Sequence, residues 1–415
     1  KALGKSKEAE KSIQKAITLN PNSANYYYCL GIILKDLGRL KEAELSTRKS
    51  IQLNPNFAEA YSNLGIILKD LGQLQKGEIS VQKSIQINPN LAETYYNLGI
   101  IKKDLGKLNE ACALYLKAIK LKSNFAKANL NLGGIFRDLG KYNDAISLYK
   151  KAIKSDSKLI SAKSELITSK NYICDWSDRK TQNIWLEKLG IEGSAVNPWN
   201  FFSLEDNPSK HLIRSKNFYK ENFIPKVYNR SSSNNKKIHV GYFSSDFRDH
   251  PTMHLISSIL KLHNKSKFQI YLYSFTPKED KYTEIAKNSG CIFRDIKKLN
   301  DIDSVELARK DNLDIAIDLM GYIQHNRMSL FSYRVAPIQI NYLGYPGSLG
   351  ADNIDYIIAD NIVIPNKNKN FYSEKIIFMP NSYQCNDNEK EICIESISRK
   401  DFNLPVNGFV FTCFN

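Results

Sequence analysis

The alternation of apolar and polar positions changes rhythm once along the chain. Through about residue 170, apolar residues recur at helical spacing in short stretches punctuated by Gly, Pro and Asn, which predicts a succession of amphipathic helices. From Lys237 onward, continuous apolar runs alternate with helical stretches. Lys237–Ser244, Phe268–Phe275, Cys291–Ile296, Leu313–Met320, Ile338–Leu343, Ile354–Ala359 and Lys375–Met379 read as strands. His254–His263, Lys281–Asn288, Asp303–Lys310 and Arg327–Val335 read as the helices between them. Such alternation predicts a parallel sheet covered on both faces, a Rossmann-like α/β layer structure.

The helical part repeats itself. Asp-Leu-Gly occurs at residues 36–38, 70–72, 104–106 and 138–140, each copy 34 residues after the last. Leu-Gly at 30–31, 64–65, 98–99 and 132–133 keeps the step, as do Ala43, Gly77, Ala111 and Ala145, and Pro21, Pro55 and Pro89. Small residues within helices let two helices approach closely, and Pro after Asn separates one helix pair from the next. This 34-residue unit resembles the tetratricopeptide repeat. Four full repeats are expected from about Ser23 to Ser157, preceded by the second helix of a truncated one. A helix from Lys158 to about Lys170 would cap the α-solenoid. Asn63, Asn97 and Asn131 share one repeat slot, which Cys29 takes in the first repeat. Their amides either form an exposed concave ladder that holds an extended peptide by its backbone, or bond locally within each repeat.

In a parallel sheet the ligand crevice lies beyond the carboxyl ends of the strands. Three polar or Gly-rich segments follow strands here: Ser244–Thr252, Gly321-Tyr322 leading to Arg327, and Leu343–Ser348. All three are expected at one crevice. His250 there is either a site residue or a helix cap. Its i, i+4 spacing to His254 matches helical zinc ligands, yet no Glu lies between them and no third ligand is evident, so no metal site is assigned. The absence of GxGxxG and Walker loops argues against a dinucleotide oxidoreductase or a P-loop enzyme.

Composition narrows the field further. The formal charge of +16 invites phosphate partners, but the basic residues are scattered among Glu and Asp, so no nucleic-acid surface is assigned. No apolar run approaches the ~20 residues of a membrane span. Seven cysteines without a CxxC pair favour a reducing, cytoplasmic setting over a disulfide framework.

Taken together, the repeats, Cys174-Asp175-Trp176, the Ser244–Leu255 run, Gly321–Arg327, Ala336–Gln339 and Leu343–Gly347 resemble the O-linked N-acetylglucosamine transferase family. The resemblance implies a two-lobed GT-B fold, of which residues 237–415 would be the first lobe, residues 1–170 the repeat array and residues 171–236 a connecting segment. It implies transfer of N-acetylglucosamine from UDP-N-acetylglucosamine to Ser or Thr of proteins, with inversion, without metal and without any cofactor beyond the sugar-nucleotide substrate. His250 and Asp246 match residues proposed for proton transfer. Thr252, Leu343 and Gly344 match sugar-holding residues, and Tyr322 and Arg327 match residues that support the acceptor side. Protein acceptors would enter through the repeats. In the family, the donor's own phosphate is the alternative proton acceptor, which would leave His250 a positioning role.

Departures are Ile323, where many relatives have Thr, and Trp199, where animal members have His. Phe409–Asn415 resembles the strand that opens the second lobe. The sequence is accordingly expected to be a fragment clipped at both ends, lacking that lobe and inactive alone. The other readings are a repeat-based binding module with an inert half-enzyme, and a relative using fucose, another hexose or an Asn acceptor.

Overall fold

The computed structural model describes residues 2–225, 235–387 and 397–410. Helix α1 (Ala2–Leu19) is followed by four antiparallel pairs: α2 and α3 (Ala24–Asp36, Leu40–Leu53), α4 and α5 (Ala58–Asp70, Leu74–Ile87), α6 and α7 (Ala92–Asp104, Leu108–Leu121), and α8 and α9 (Ala126–Asp138, Tyr142–Ser155). Helix α10 (Ile160–Tyr172) closes the array. The Asp-Leu-Gly motif is the turn between the helices of a pair. Gly38, Gly72, Gly106 and Gly140 have φ between 73° and 79°, the left-handed C′ position that ends a helix. The Leu-Gly pairs mark the closest helix approach. A Cβ on Gly99 or Gly133 would lie 2.6 Å from the ring of Tyr115 or Tyr149. Ala43, Ala111 and Ala145 are fully buried at the facing slot.

Two further helices, α11 (Arg179–Leu186) and α12 (Pro208–Asn222), follow before the first strand. The Cys174-Asp175-Trp176 motif has a structural explanation. Lys170, fully buried in the last turn of α10, binds Asp175 Oδ2 at 3.0 Å, Asp178 Oδ2 at 2.6 Å and Ser177 Oγ at 3.0 Å. A buried ammonium is tolerated only with such partners. Trp176 stays half exposed, with the Arg179 guanidinium over its ring.

The α/β part runs β1 (Ile238–Ser244), α13 (Pro251–Leu262), β2 (Phe268–Ser274), α14 (Lys281–Lys287), β3 (Ile292–Asp295), α15 (Asp301–Lys310), β4 (Ile315–Asp318), α16 (Met328–Ser332), β5 (Ile338–Asn341), β6 (Tyr356–Ala359) and β7 (Lys375–Phe378). Among the described residues these seven strands form one parallel sheet, in the order β3-β2-β1-β4-β5-β6-β7. One face packs Val240, Tyr242 and Leu272 under Met253, Ile256 and Leu260 of α13. The other packs Phe243 and Tyr273 under Val305 of α15, Phe331 of α16 and Tyr219 of α12.

The helix expected over Arg327–Val335 is shorter than its pattern. It stops at Ser332 because Arg334 turns to φ 56° and sends its guanidinium to Asp355 and the carbonyl of Asn353. Of the polar stretch 229–235 only Asn235 is among the described residues, and 411–415 of the expected final strand lie outside them. Among the described residues no helix is long and apolar enough to cross a membrane.

Candidate functional site

The strand order reverses between β1 and β4, so the loops after these strands diverge and leave a crevice. The loops after β1, β4 and β5 meet there through direct contacts. Ser244 Oγ donates to Met320 Sδ at 3.3 Å, joining the first two. A Cβ on Gly344 would sit 2.0 Å from the carbonyl oxygen of Leu319, and one on Gly321 would sit 2.2 Å from Cβ of Tyr345, joining the last two. The expected convergence is therefore present, and glycine is required where backbones press together.

The β5 loop is also strained. Leu343 has φ 71°, and Gly344 N–H bonds the carbonyl of Tyr342 across it at 3.0 Å, forming a tight three-residue turn. Asn341 holds the loop from below by donating to the carbonyls of Tyr345 and Gly347. Leu343 and Gly344 are half-buried at its rim.

His250 is the N-cap of α13, with Pro251 at the first helical position. Its Nδ1 accepts the backbone N–H of Thr252 at 3.2 Å, and the Thr252 hydroxyl lies at the same distance. Asp246 is buried, and its Oδ2 lies 3.4 Å from His250 Nδ1 with no hydrogen-bond partner among the described residues. Its Oδ1 accepts from Ser245 at 3.1 Å. Burial pushes the His250 imidazole below its usual value, against the opposing pull of Asp246, so the ring is neutral near pH 7. With Nδ1 occupied as the acceptor of the cap, the neutral ring carries its proton on Nε2. The cap reading and the site reading of His250 are thus compatible: the cap sets the tautomer. His254 turns elsewhere, its Nε2 on Asp249 at 2.9 Å and its ring against Tyr282.

Tyr322 and Arg327 support the crevice from inside. Tyr322 is fully buried, its hydroxyl donating to the carbonyl of Leu349 at 2.6 Å and its ring packed on Tyr345 and Phe218. Arg327 binds Asp301 at 2.5 Å and the carbonyls of Ile296 and Leu299, tying the β4 loop to the start of α15. Neither side chain faces outward to meet an acceptor in this structure. Tyr345 is likewise a packing residue, whereas Trp199 is two-fifths exposed beside it, 6.2 Å between ring centres. Asn197 fixes that segment by donating to the carbonyl of Tyr322 at 2.9 Å.

Sequence reasoning passed over Asp318. It ends β4 fully buried and accepts the N–H groups of Met320 and Gly321 at 3.0 and 2.9 Å. Burial pushes its carboxyl up to about 6. The available signal was an acid set inside the apolar run Ile315–Met320. A cavity of about 400 Å³ beside Pro346–Ser348, walled by Phe202, His211 and Tyr372, also went unforeseen, and none of the expected site residues lines it.

In the array, the three Asn amides are not an exposed ladder. Asn63 is buried, and Asn97 and Asn131 are half-buried. Asn63 Nδ2 donates to Thr47 Oγ1 at 3.4 Å, Asn97 to Ser62 Oγ at 2.9 Å, and Asn131 to the hydroxyls of Tyr96 and Tyr115 at 3.3 and 3.5 Å. Their donors serve the array itself. Asn63 and Asn97 still line a groove of about 990 Å³ together with Tyr28, Tyr96 and Phe125.

A doubly covered parallel sheet with its loops gathered at the switch point, behind a helical-repeat array, defines a repeat-bearing α/β protein. Residues 213–415 match the family described as Glycosyl transferase family 41. Residues 12–44, 47–78, 92–125 and 126–159 match tetratricopeptide-repeat models. The chain thus carries a family 41 glycosyltransferase domain together with tetratricopeptide repeats.

Among its relatives is a probable UDP-N-acetylglucosamine–peptide N-acetylglucosaminyltransferase, SEC, of Arabidopsis thaliana, 32% identical over 43% of this chain and 19% of that protein. The corresponding Caenorhabditis elegans transferase is 33% identical over 38% of this chain and 14% of its own length. A solved mutant of an O-GlcNAc transferase from Thermobaculum terrenum is 21% identical with a TM-score of 0.47, covering 79% of this chain and 58% of that one. The chain spans less than a fifth of the curated relatives it matches.

Proposed function

We propose that this protein transfers N-acetylglucosamine from UDP-N-acetylglucosamine to Ser or Thr hydroxyls of proteins, inverting and metal-independent, in a reducing cytoplasmic setting. The observation that carries the reading is the three-loop crevice with neutral His250 at its helix N-terminus; the peptide N-acetylglucosaminyltransferases among the relatives agree with it. The acceptor oxygen attacks the anomeric carbon from the face opposite UDP. The carbon–oxygen bond to the diphosphate breaks, UDP leaves with the bonding electrons, and the hydroxyl proton passes to a base.

In the observed ring orientation His250 offers a donor at Nε2, so its role is to position, and the proton goes to a phosphate oxygen of the donor. Thr252, Leu343 and Gly344 hold the sugar, Asp246 sets a buried carboxylate beside His250, and Tyr322 and Arg327 hold the loops that an acceptor would meet. The groove at Asn63 and Asn97 receives the acceptor protein.

The test is the full-length protein with a Ser/Thr peptide and UDP-N-acetylglucosamine, comparing His250→Ala and His250→Asn. Positioning predicts a kcat loss in the Ala variant smaller than about 10²-fold, partly restored by Asn, which can both cap and donate. A loss of about 10²–10⁴-fold unrelieved by Asn would make His250 the base instead. Unchanged kcat in both removes His250 from the site, and transfer from GDP-fucose alone would overturn the donor.

A further inference from the structure

The loop that carries Leu343 and Gly344 is held at its far end by the residues that lead into β7. Glu374 stands just before that edge strand, two strands away from β5, and is only 5% exposed. Its Oε1 accepts the N–H of Leu349 at 2.6 Å. Its Oε2 accepts the hydroxyl of Ser348 at 2.6 Å and that of Ser373 at 3.2 Å. Ser348 Oγ in turn accepts the N–H groups of Gly350 and Ser373, each at 3.1 Å. The Tyr372 hydroxyl donates to the carbonyl of Pro346 at 3.2 Å. Three consecutive residues, 372–374, thus hold Pro346, Ser348 and Leu349.

Such a grip is a poor way to stabilise a fold. A carboxylate buried against hydroxyls and an amide loses hydration that these bonds replace only in part. Burial accordingly pushes the Glu374 carboxyl above its usual range, against the pull of Ser348 and the Leu349 N–H. What the grip supplies is direction. Leu349 is held from both sides, its N–H on Glu374 and its carbonyl on the Tyr322 hydroxyl at 2.6 Å. Asn341 holds the same loop nearer the crevice, through the carbonyls of Tyr345 and Gly347 at 3.1 and 3.3 Å. The glycines leave no slack. A Cβ on Gly347 would lie 2.3 Å from the Phe202 ring, and one on Gly350 would lie 2.4 Å from the backbone nitrogen of Lys216. A loop fixed at 345, 347, 348 and 349 has little freedom in where it presents Leu343 and Gly344.

We propose that Glu374 is a positioning residue for the sugar donor, acting through Ser348 and Leu349 to set the rim of the crevice at Leu343 and Gly344. The proposal rests on the reading of that rim as the sugar-holding side of a transferase. It adds to that reading a residue at the edge strand, outside the three crevice loops.

Steady-state kinetics on the full-length protein, with UDP-N-acetylglucosamine and a Ser/Thr peptide varied in turn, test it. Glu374→Ala is expected to raise the KM for the sugar nucleotide by about tenfold or more, because a displaced rim meets the donor badly, while the KM for the peptide stays within about twofold. A purely structural role would leave fewer folded molecules, which lowers kcat and leaves both KM values alone. Glu374→Gln keeps an acceptor for the Leu349 N–H and should recover part of the donor KM. Where Glu374→Ala does not fold, Ser348→Ala carries the same expectation. Combined with Glu374→Gln, Ser348→Ala should raise the donor KM by less than the product of the single effects, since the two residues share a bond. An unchanged donor KM, an equal rise in both KM values, no recovery in Glu374→Gln, or fully multiplicative effects would each overturn the proposal. Hydrogen exchange at residues 343–350 needs no substrate and tells the two readings apart. A wild-type protein inert toward UDP-N-acetylglucosamine would sink the transferase reading, whereas exchange unchanged by Glu374→Ala or Ser348→Ala would sink the role of Glu374.

Discussion

The repeat array and the α/β part solve the burial of polar groups in opposite ways. In the array, Ser46 Oγ donates to the carbonyl of Tyr27 and Ser80 Oγ to that of Tyr61, the same bond one repeat later. Ser50 and Ser84 repeat another, to Ala24 and Ala58. Every partner is in the same or the next repeat, which makes stability nearly additive along the array. In the α/β part the bonds span the chain: Tyr219 to Asn353, Asn197 to Tyr322, Ser244 to Met320. A perturbation at one crevice loop therefore reaches the others, whereas one in a repeat stays with its neighbours.

Gly344→Ala should give the largest effect. Its new Cβ meets the backbone at Leu319, which cannot swing aside, so a loss of about 3 kcal/mol or more is expected, with weakened sugar-nucleotide binding. A melting temperature within a degree of wild type would show that the loops are less tightly coupled than the contacts imply.

Asp318 tests the same region by titration. Its folded-state value lies above that of the unfolded chain, so the native carboxyl keeps a proton that the unfolded one has lost between about pH 4 and 6. The native state thus loses stability as pH rises through that window, by about 3 kcal/mol for a two-unit shift. Asp318→Asn should lack this component when denaturation midpoints are compared at pH 4 and 7; parallel curves for the two proteins would refute it.

In the array, replacing Asn63, Asn97 and Asn131 together by Ala should cost about 0.5–1.5 kcal/mol per site, since each loses an internal bond. Calorimetry with extended peptides then decides whether the groove loses affinity as well. Smallest is Gly134→Ala in α8, where a Cβ meets nothing within 4 Å. It should raise stability by about 1 kcal/mol, measured by urea denaturation.

The same contrast explains what could be read from the sequence. Periodicity fixed the repeats almost to the residue, because Gly and Ala at helix contacts and Gly at the turn must recur with every pair. Strand positions were legible because strands buried on both faces are continuously apolar. The loops announced themselves as polar segments after strands, but the direction of their side chains did not. That Tyr322 faces inward depends on Phe218 and Tyr345, more than a hundred and some twenty residues away in sequence. The Asn ladder was misjudged for a related reason. Its partners Ser62 and Tyr96 lie one repeat back, and the slot pattern gives position without showing which hydroxyl stands opposite.

The Lys170 joint has a practical corollary for anyone dissecting the molecule. A boundary drawn at residue 170, where the helical rhythm stops, would sever an interior cation from Asp175 and Asp178, the carboxylates that neutralise it. A shortened array ending there would carry an orphaned charge in its terminal turn and fray. Chemically, the smallest autonomous array ends beyond Asp178, eight residues after the helical pattern stops.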